Sequence, residues 1–179
     1  ALKHTDYNKE DNKPKPRLSL LGGISTRDTG PTWISFDKVD FGTDGADTIH
    51  IPIFSFDEEL PFEIWEGKPY AEGSECLVKA TYKAPSTYNT YTENVYTLPK
   101  RLFGVHKLGF AFTTGLYFQG FYFDQTKKAL SKLRALDANV VAGDSFTKTQ
   151  KAVEQIGNNV NLDFENMDVN ANIETRNKI

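Results

Sequence analysis

The segment Pro85-Ser86-Thr87-Tyr88-Asn89-Thr90-Tyr91 sets two phenol rings around a carboxamide. A flat aromatic face can stack on the apolar face of a ring, and a planar amide or charged group can pair with neighbouring hydroxyls. Tyr88, Asn89 and Tyr91 therefore suit a shallow site for a pyranose; the other reading is loop packing onto the edge of the fold. Arg27 and Asp28 sit in the loop before Trp33, where they either reach the same site or are surface charges. Trp65 is out of phase with Phe62 and Ile64, so its ring faces outward as a binding surface or is covered by the N-terminal arm or a helix. Trp33 has the same phase with stronger core character, and Tyr117, following a Gly turn, completes the candidate set.

Other chemistry is poorly represented. The three histidines, His4, His50 and His106, are scattered and Cys76 is alone, so no zinc spacing exists and no internal disulfide can form. Carboxylates are plentiful, but none sits in a distinctive motif for glycosidic hydrolysis. A nucleophile elbow, a Gly-rich phosphate loop and a Ser/His/Asp signature are all missing. The reading is a non-catalytic chain, and these residues by themselves call for no cofactor. A net charge of −3 gives no broad footprint for nucleic acid. No apolar run approaches the roughly 20 residues that span a bilayer, so no membrane insertion is expected. No secretory signal opens the sequence; Ala1 reads as an internal cut from a longer protein.

The elements that must hold these residues are strands. Thirteen Phe, eight Tyr and two Trp make 13% of the 179 residues, against one Met. Aromatic and β-branched enrichment favours a pleated surface. Residues 1–16 are polar with Pro14 and Pro16, and read as a linker or arm. Arg17–Leu21 is a short strand stopped by Gly22-Gly23, and 24–31 reads as a polar loop. Ile34 and Phe36 alternate with Trp33 and Ser35; Ile49, Ile51 and Ile53 form a clean period-2 strand. Further strands are expected at 62–66, 77–82, 95–98, 107–112 and 117–123. Gly and Pro turns between them point to an antiparallel β-sandwich over residues 17–124.

The texture changes after Asp124. Ala129, Leu130, Leu133 and Leu136 fall at helical spacing between Lys and Arg, which predicts a connecting helix within 125–138. Residues 139–179 return to strand-like patterning. Ile34-Ser35-Phe36-Asp37-Lys38-Val39-Asp40 is echoed by Leu162-Asp163-Phe164-Glu165-Asn166-Met167-Asp168, at an offset of 128 residues. The tail is either an extension or the start of a second repeat, or its strands pack on the first sandwich.

The run Trp33-Ile34-Ser35-Phe36-Asp37-Lys38-Val39-Asp40-Phe41-Gly42, with Gly45-Ala46 and an alternating strand after it, resembles family 6-like carbohydrate-binding modules. Phe62-Glu63-Ile64-Trp65-Glu66, Tyr88 and Gly120-Phe121-Tyr122-Phe123-Asp124 extend the likeness over roughly residues 22–124. Tyr88 stands where a Trp is common, and Gln119 or a neighbour where an Asn is common. The resemblance implies a galactose-binding-like or jelly-roll-like sandwich. It also implies a structural calcium with Asp124 in a ligand position; Asp40 and Asp44 read as ordinary turn carboxylates.

Arg17-Leu18-Ser19-Leu20-Leu21-Gly22-Gly23, Gly30-Pro31-Thr32-Trp33-Ile34-Ser35-Phe36 and Ile156-Gly157-Asn158-Asn159-Val160 are similar to non-catalytic C-terminal regions of large bacterial family 2 β-galactosidases. Family 71 galactose-binding modules are the nearest such match. This implies glycans with terminal β-galactosides, such as lactose or N-acetyllactosamine, as ligands. It implies the catalytic domain of a parent β-galactosidase as covalent partner, and a secreted or cell-surface bacterial location. The competing reading is a structural spacer that supports the catalytic core; a protein-binding adhesin is a third.

Overall fold

The computed structural model describes residues 6–9, 17–18, 24–26, 32–55, 57, 59–83, 90–113, 116–124, 126–149 and 151–167, with side chains throughout except at 17–18 and 24–26. The strands in chain order are β1 (Asp6–Tyr7), β2 (Arg17–Leu18), β3 (Ile24–Thr26), β4 (Thr32–Asp40), β5 (Ala46–Ser55), β6 (Glu59–Glu66), β7 (Glu75–Lys83) and β8 (Thr92–Leu102). They continue as β9 (Val105–Phe112), β10 (Leu116–Phe118), β11 (Tyr122–Phe123), β12 (Val140–Ala142), β13 (Thr147–Lys148), β14 (Val153–Glu154) and β15 (Asn161–Asp163).

Every pairing among them is antiparallel. One sheet runs β1-β4-β9-β6-β7. In the other, β8 lies on one side of β5, while β10 and β11 follow each other along its second side, with β3 and β2 beyond β10. The core between the sheets follows the period-2 pattern: Ile49, Ile51 and Ile53 on β5, Leu60, Phe62 and Ile64 on β6, and Leu108, Phe110 and Phe112 on β9 are all buried. Phe36, Phe110, Phe118 and Phe121 pack ring against ring within it. The sandwich expected from the sequence is the fold observed.

Three expectations are corrected. The segment read as a polar loop contains strand β3 at Ile24–Thr26, which carries β10 outward to β2. The arm contributes β1, whose register against β4 is Asp6 opposite Ser35 and Tyr7 opposite Ile34.

The helix expected within 125–138 is replaced by two 3₁₀ turns, Lys128–Leu130 and Ala135–Asp137. The carbonyls that an α-helix would use are taken elsewhere. Thr126 O accepts from Arg101 Nη2 at 2.7 Å, and Lys127 O accepts from Ser131 Oγ at 2.9 Å. Asp137 closes its own turn by accepting the Arg134 backbone N–H at 2.8 Å. Leu133 and Leu136 stay half-buried, so the apolar stripe has no core to pack into and tertiary hydrogen bonds prevail over periodicity.

At the turn joining β4 to β5, Gly45 has φ +69° and a Cβ there would stand 2.6 Å from Leu102 O. Only glycine fits that approach. It brings Asp44, Gly45 and Asp47 against Arg101, whose side chain is 2% exposed. Arg101 donates from Nε to Asp44 O at 2.8 Å and from Nη2 to Gly45 O at 2.9 Å, and pairs with Asp47 Oδ1 at 3.2 Å. Three backbone carbonyls and one carboxylate thus converge on a single guanidinium.

In the tail, β12 pairs with β15 and β13 with β14. The echo of β4 at 162–168 falls partly in β15, whose partner is the nearby β12. The tail is fastened to the segment after the sandwich by Lys128 Nζ, which donates to Asn139 Oδ1 at 2.9 Å and Glu165 O at 3.0 Å.

Candidate functional site

Two regions bear on recognition. The first is the outer face of the β1-β4-β9-β6-β7 sheet. Residues that alternate with the core point outward here: Ala111 and Gly109 on β9, Glu63 and Trp65 on β6, Lys79 on β7. The small β9 residues leave a furrow between their larger neighbours. The turn after β6 folds back over it: Gly109 lies under that turn, where a Cβ would meet Pro69 Cδ at 2.4 Å and Gly67 O at 2.7 Å. This close approach carries Tyr70, with φ +64°, onto the sheet.

Tyr70 packs edge-on against Trp65 with ring centroids 5.0 Å apart, yet remains 61% exposed. One aromatic face is therefore offered to solvent beside the furrow. Glu63 is the polar centre. It accepts from Trp65 Nε1 at 2.9 Å, lies 3.7 Å from Lys79 Nζ, and is hydrogen-bonded by the Tyr70 hydroxyl. Partial desolvation of that hydroxyl, reinforced by the Glu63 hydrogen bond and charge, pushes the Tyr70 pKa up to about 12. The hydroxyl is the covered end of a largely exposed ring. The resulting cleft has a volume of about 300 Å³ and runs from Tyr70 and Glu63 past Lys79 to Thr81 and Thr113.

The second region is the end of the sandwich where the sequence placed its site. The strand ends Thr26, Thr32, Ser55, Lys83, Thr92, Phe112 and Leu116 come together there, as the pairs Thr32–Phe112, Phe62–Phe112, Glu59–Lys83, Leu116–Thr26, Leu116–Ser55 and Ile53–Thr92 require. These ends bracket the segments carrying Arg27 and Asp28 and carrying Tyr88 and Asn89. Those four residues lie outside the described residues.

The remaining candidates are placed directly. Tyr91 is half-buried, with its ring 6.2 Å from Phe54. Desolvation, and then the nearby Tyr117, raise its pKa. Tyr117 is 2% exposed and packs 5.3 Å from Phe54, so it is a packing residue and presents no face to a ligand. Trp33 is 7% exposed, with Lys68 Nζ 4.7 Å over its ring, and is likewise covered. Trp65 is half-buried, with the Tyr70 ring of the following turn packed against it. Tyr70, Glu63 and Lys79 escaped the sequence reading. The signal available was an aromatic inside the Gly67–Gly73 turn that directly follows the Trp65 strand.

Asp124 is committed to a histidine. Its Oδ1 lies 2.8 Å from His50 Nε2, and Glu93 Oε1 lies 3.0 Å from His50 Nδ1. The Tyr122 ring stacks on His50 at 4.6 Å, and its hydroxyl donates to Glu93. The Glu93 hydrogen bond, then that of Asp124, raise the His50 pKa against its desolvation. Tyr122 and His50 together lower that of Glu93. The two carboxylates flank the imidazole on opposite ring nitrogens and cannot meet on one cation. Among the described residues no group of three or more His, Cys, Asp or Glu is arranged to hold a metal. A calcium, whose cage also draws on backbone carbonyls, would have to compete with His50 for Asp124.

No protein-family model and no curated protein matches the sequence. Solved structures do. A family 6 carbohydrate-binding module from Clostridium stercorarium, solved with cellobiose, superposes with a TM-score of 0.55 at 15% identity over 69% of this chain and 88% of that one. A family 6 module whose binding subsites were dissected by crystallography and calorimetry gives 0.55 at 17% identity, over 69% and 89%. One from Clostridium cellulolyticum, solved with xylose, gives 0.50 at 17%, over 68% and 92%. The chain has the β-sandwich fold of family 6 carbohydrate-binding modules.

Proposed function

We propose that the chain is a non-catalytic carbohydrate-binding module. The observation that carries this reading is the Tyr70–Glu63–Lys79 group: an exposed ring face beside a carboxylate and an ammonium, along a furrow open to solvent. A pyranose stacked on Tyr70 would meet Glu63 as acceptor and Lys79 as donor for adjacent hydroxyls. The fold shared with modules solved with cellobiose and xylose supports it. The loop end bracketed by Thr32, Lys83 and Phe112 is the second surface, with Tyr88, Asn89, Arg27 and Asp28 as its candidate recognition residues.

Within this reading the ligand is a terminal β-galactoside, and the module tethers a parent β-galactosidase to glycans at the cell surface or in secretion. The support is the likeness of residues 17–23, 30–36 and 156–160 to the C-terminal regions of such enzymes. A small sugar buries little area, so affinity falls on the order of micromolar to millimolar.

Calorimetry with lactose, N-acetyllactosamine, cellobiose and xylose tests both levels. Binding of lactose above cellobiose supports the galactoside reading, and the reverse order removes it. Tyr70→Ala and Tyr88→Ala assign the surface, since each removes a stacking face and little core. A folded protein that binds none of a broad glycan array overturns the proposal and leaves the spacer reading.

A further inference from the structure

At the end of the sandwich opposite the loops, a cleft of about 430 Å³ opens between the strand ends and the chain that follows Asp124. Its walls include Lys100, Arg101, Lys128 and Arg134, with a single carboxylate, Asp137. Three of the four cations are neutralised. Lys100 pairs with Glu66 and with Glu75, Arg101 with Asp47, and Arg134 with Asp137 at 2.8 Å.

Lys128 differs. The residue is 3% exposed, and its ammonium donates only to the neutral acceptors Asn139 Oδ1 and Glu165 O, with the Phe103 ring 5.3 Å away. Asp44 approaches the Lys128 backbone N–H at 3.3 Å, but its carboxylate pairs with Lys127 Nζ, also at 3.3 Å. Among the described residues no carboxylate pairs with Lys128 Nζ. A buried ammonium without a counter-charge is costly, and its cost falls when an anion is drawn to it. An ammonium has three donors, and two are used by those neutral acceptors. Thr43, Asn139 and Asn166 add groups that can hydrogen-bond hydroxyls, while Phe103 and Leu136 supply apolar wall.

We infer that this cleft binds an oxyanionic group, a carboxylate or sulfate, with Lys128 as its counter-charge. The inference stands apart from the carbohydrate reading, since it uses neither the furrow nor the loop end. The group would come from a uronate or sulfated sugar, or from a free inorganic oxyanion.

The test is a chemical-shift titration of the full chain by NMR at constant ionic strength, with sodium glucuronate, inorganic sulfate and neutral glucose. Glucuronate or sulfate should shift amides around Lys128, Asn139 and Asn166 with a dissociation constant on the order of millimolar, and glucose should be at least about tenfold weaker. Glucuronate binding names a sugar-borne source; sulfate binding alone names the free ion. Lys128→Met should remove the shifts. Because that change also unfastens Asn139 and Glu165, Asn166→Asp is the second variant. It is nearly isosteric, and its built-in carboxylate should raise the melting temperature and weaken external anions by about tenfold or more. The inference is overturned if glucose matches glucuronate, if neither anion shifts these amides, or if Asn166→Asp binds anions undiminished.

Discussion

Replacing Arg101 by Met keeps a long apolar stem and deletes the guanidinium. Four acceptors lose their donor at once: the carbonyls of Asp44, Gly45 and Thr126 at 2.7–2.9 Å, and Asp47 Oδ1 at 3.2 Å. The Arg101 side chain is 2% exposed, whereas Asp47 is 32% exposed and can recover water. The loss therefore sits mainly on Gly45 O, whose hydrogen bond is buried, and less on Asp44 O and Thr126 O, whose hydrogen bonds are part-buried. Each buried acceptor left unsatisfied costs ~1–3 kcal/mol, and breaking a buried charged pair costs ~3–5 kcal/mol. Partial rehydration of Asp47 keeps the expected total near 3–5 kcal/mol, not the sum of both. For a chain of this size, this lowers the melting temperature by roughly 6–20 °C.

Urea denaturation followed by circular dichroism measures it, with Lys100→Met as control. Lys100 is 29% exposed; of its two partners Glu75 is exposed and Glu66 keeps His106 at 2.8 Å, so its loss should cost about 1 kcal/mol or less. An Arg101→Met loss no larger than that of the control would refute the view that one guanidinium ties the β4–β5 turn to the segment after Asp124.

Gly109→Ala should destabilise by ~1–3 kcal/mol, because its Cβ would stand 2.4 Å from Pro69 Cδ. Displacing that turn should also carry Tyr70 off the furrow, so sugar affinity measured by calorimetry should fall with stability; unchanged melting and binding would remove the turn from the site. His50 has a raised pKa, so its contribution is complete below its ordinary value of 6.5 and is lost as pH rises through the folded value. The melting temperature of His50→Gln should therefore depend less on pH above 6.5 than that of the parent; parallel curves would count against the Glu93–His50–Asp124 clamp. A structural calcium at Asp124 would have to displace His50, and an excess of EGTA should then lower the melting temperature; an unchanged melt would remove that site.

The sequence by itself determined the sandwich and most of its core. Ile49, Ile51 and Ile53 alternate without interruption, and a strand whose apolar residues repeat every second position has one face to bury. It also nominated the loops carrying Arg27, Asp28, Tyr88 and Asn89, which lie outside the described residues. Tertiary structure alone decided which outward positions stay outward. Trp33 and Trp65 share a phase, yet the first is covered and the second carries Tyr70, because the turn after β6 folds across β9 at Gly109 and sets Lys68 over Trp33. The segment after Asp124 shows the same limit. Its helical spacing was real, but Arg101 and Asp137 supplied hydrogen bonds that an isolated helix could not match. Period reports which residues seek cover; which element supplies it depends on contacts between residues far apart in the chain.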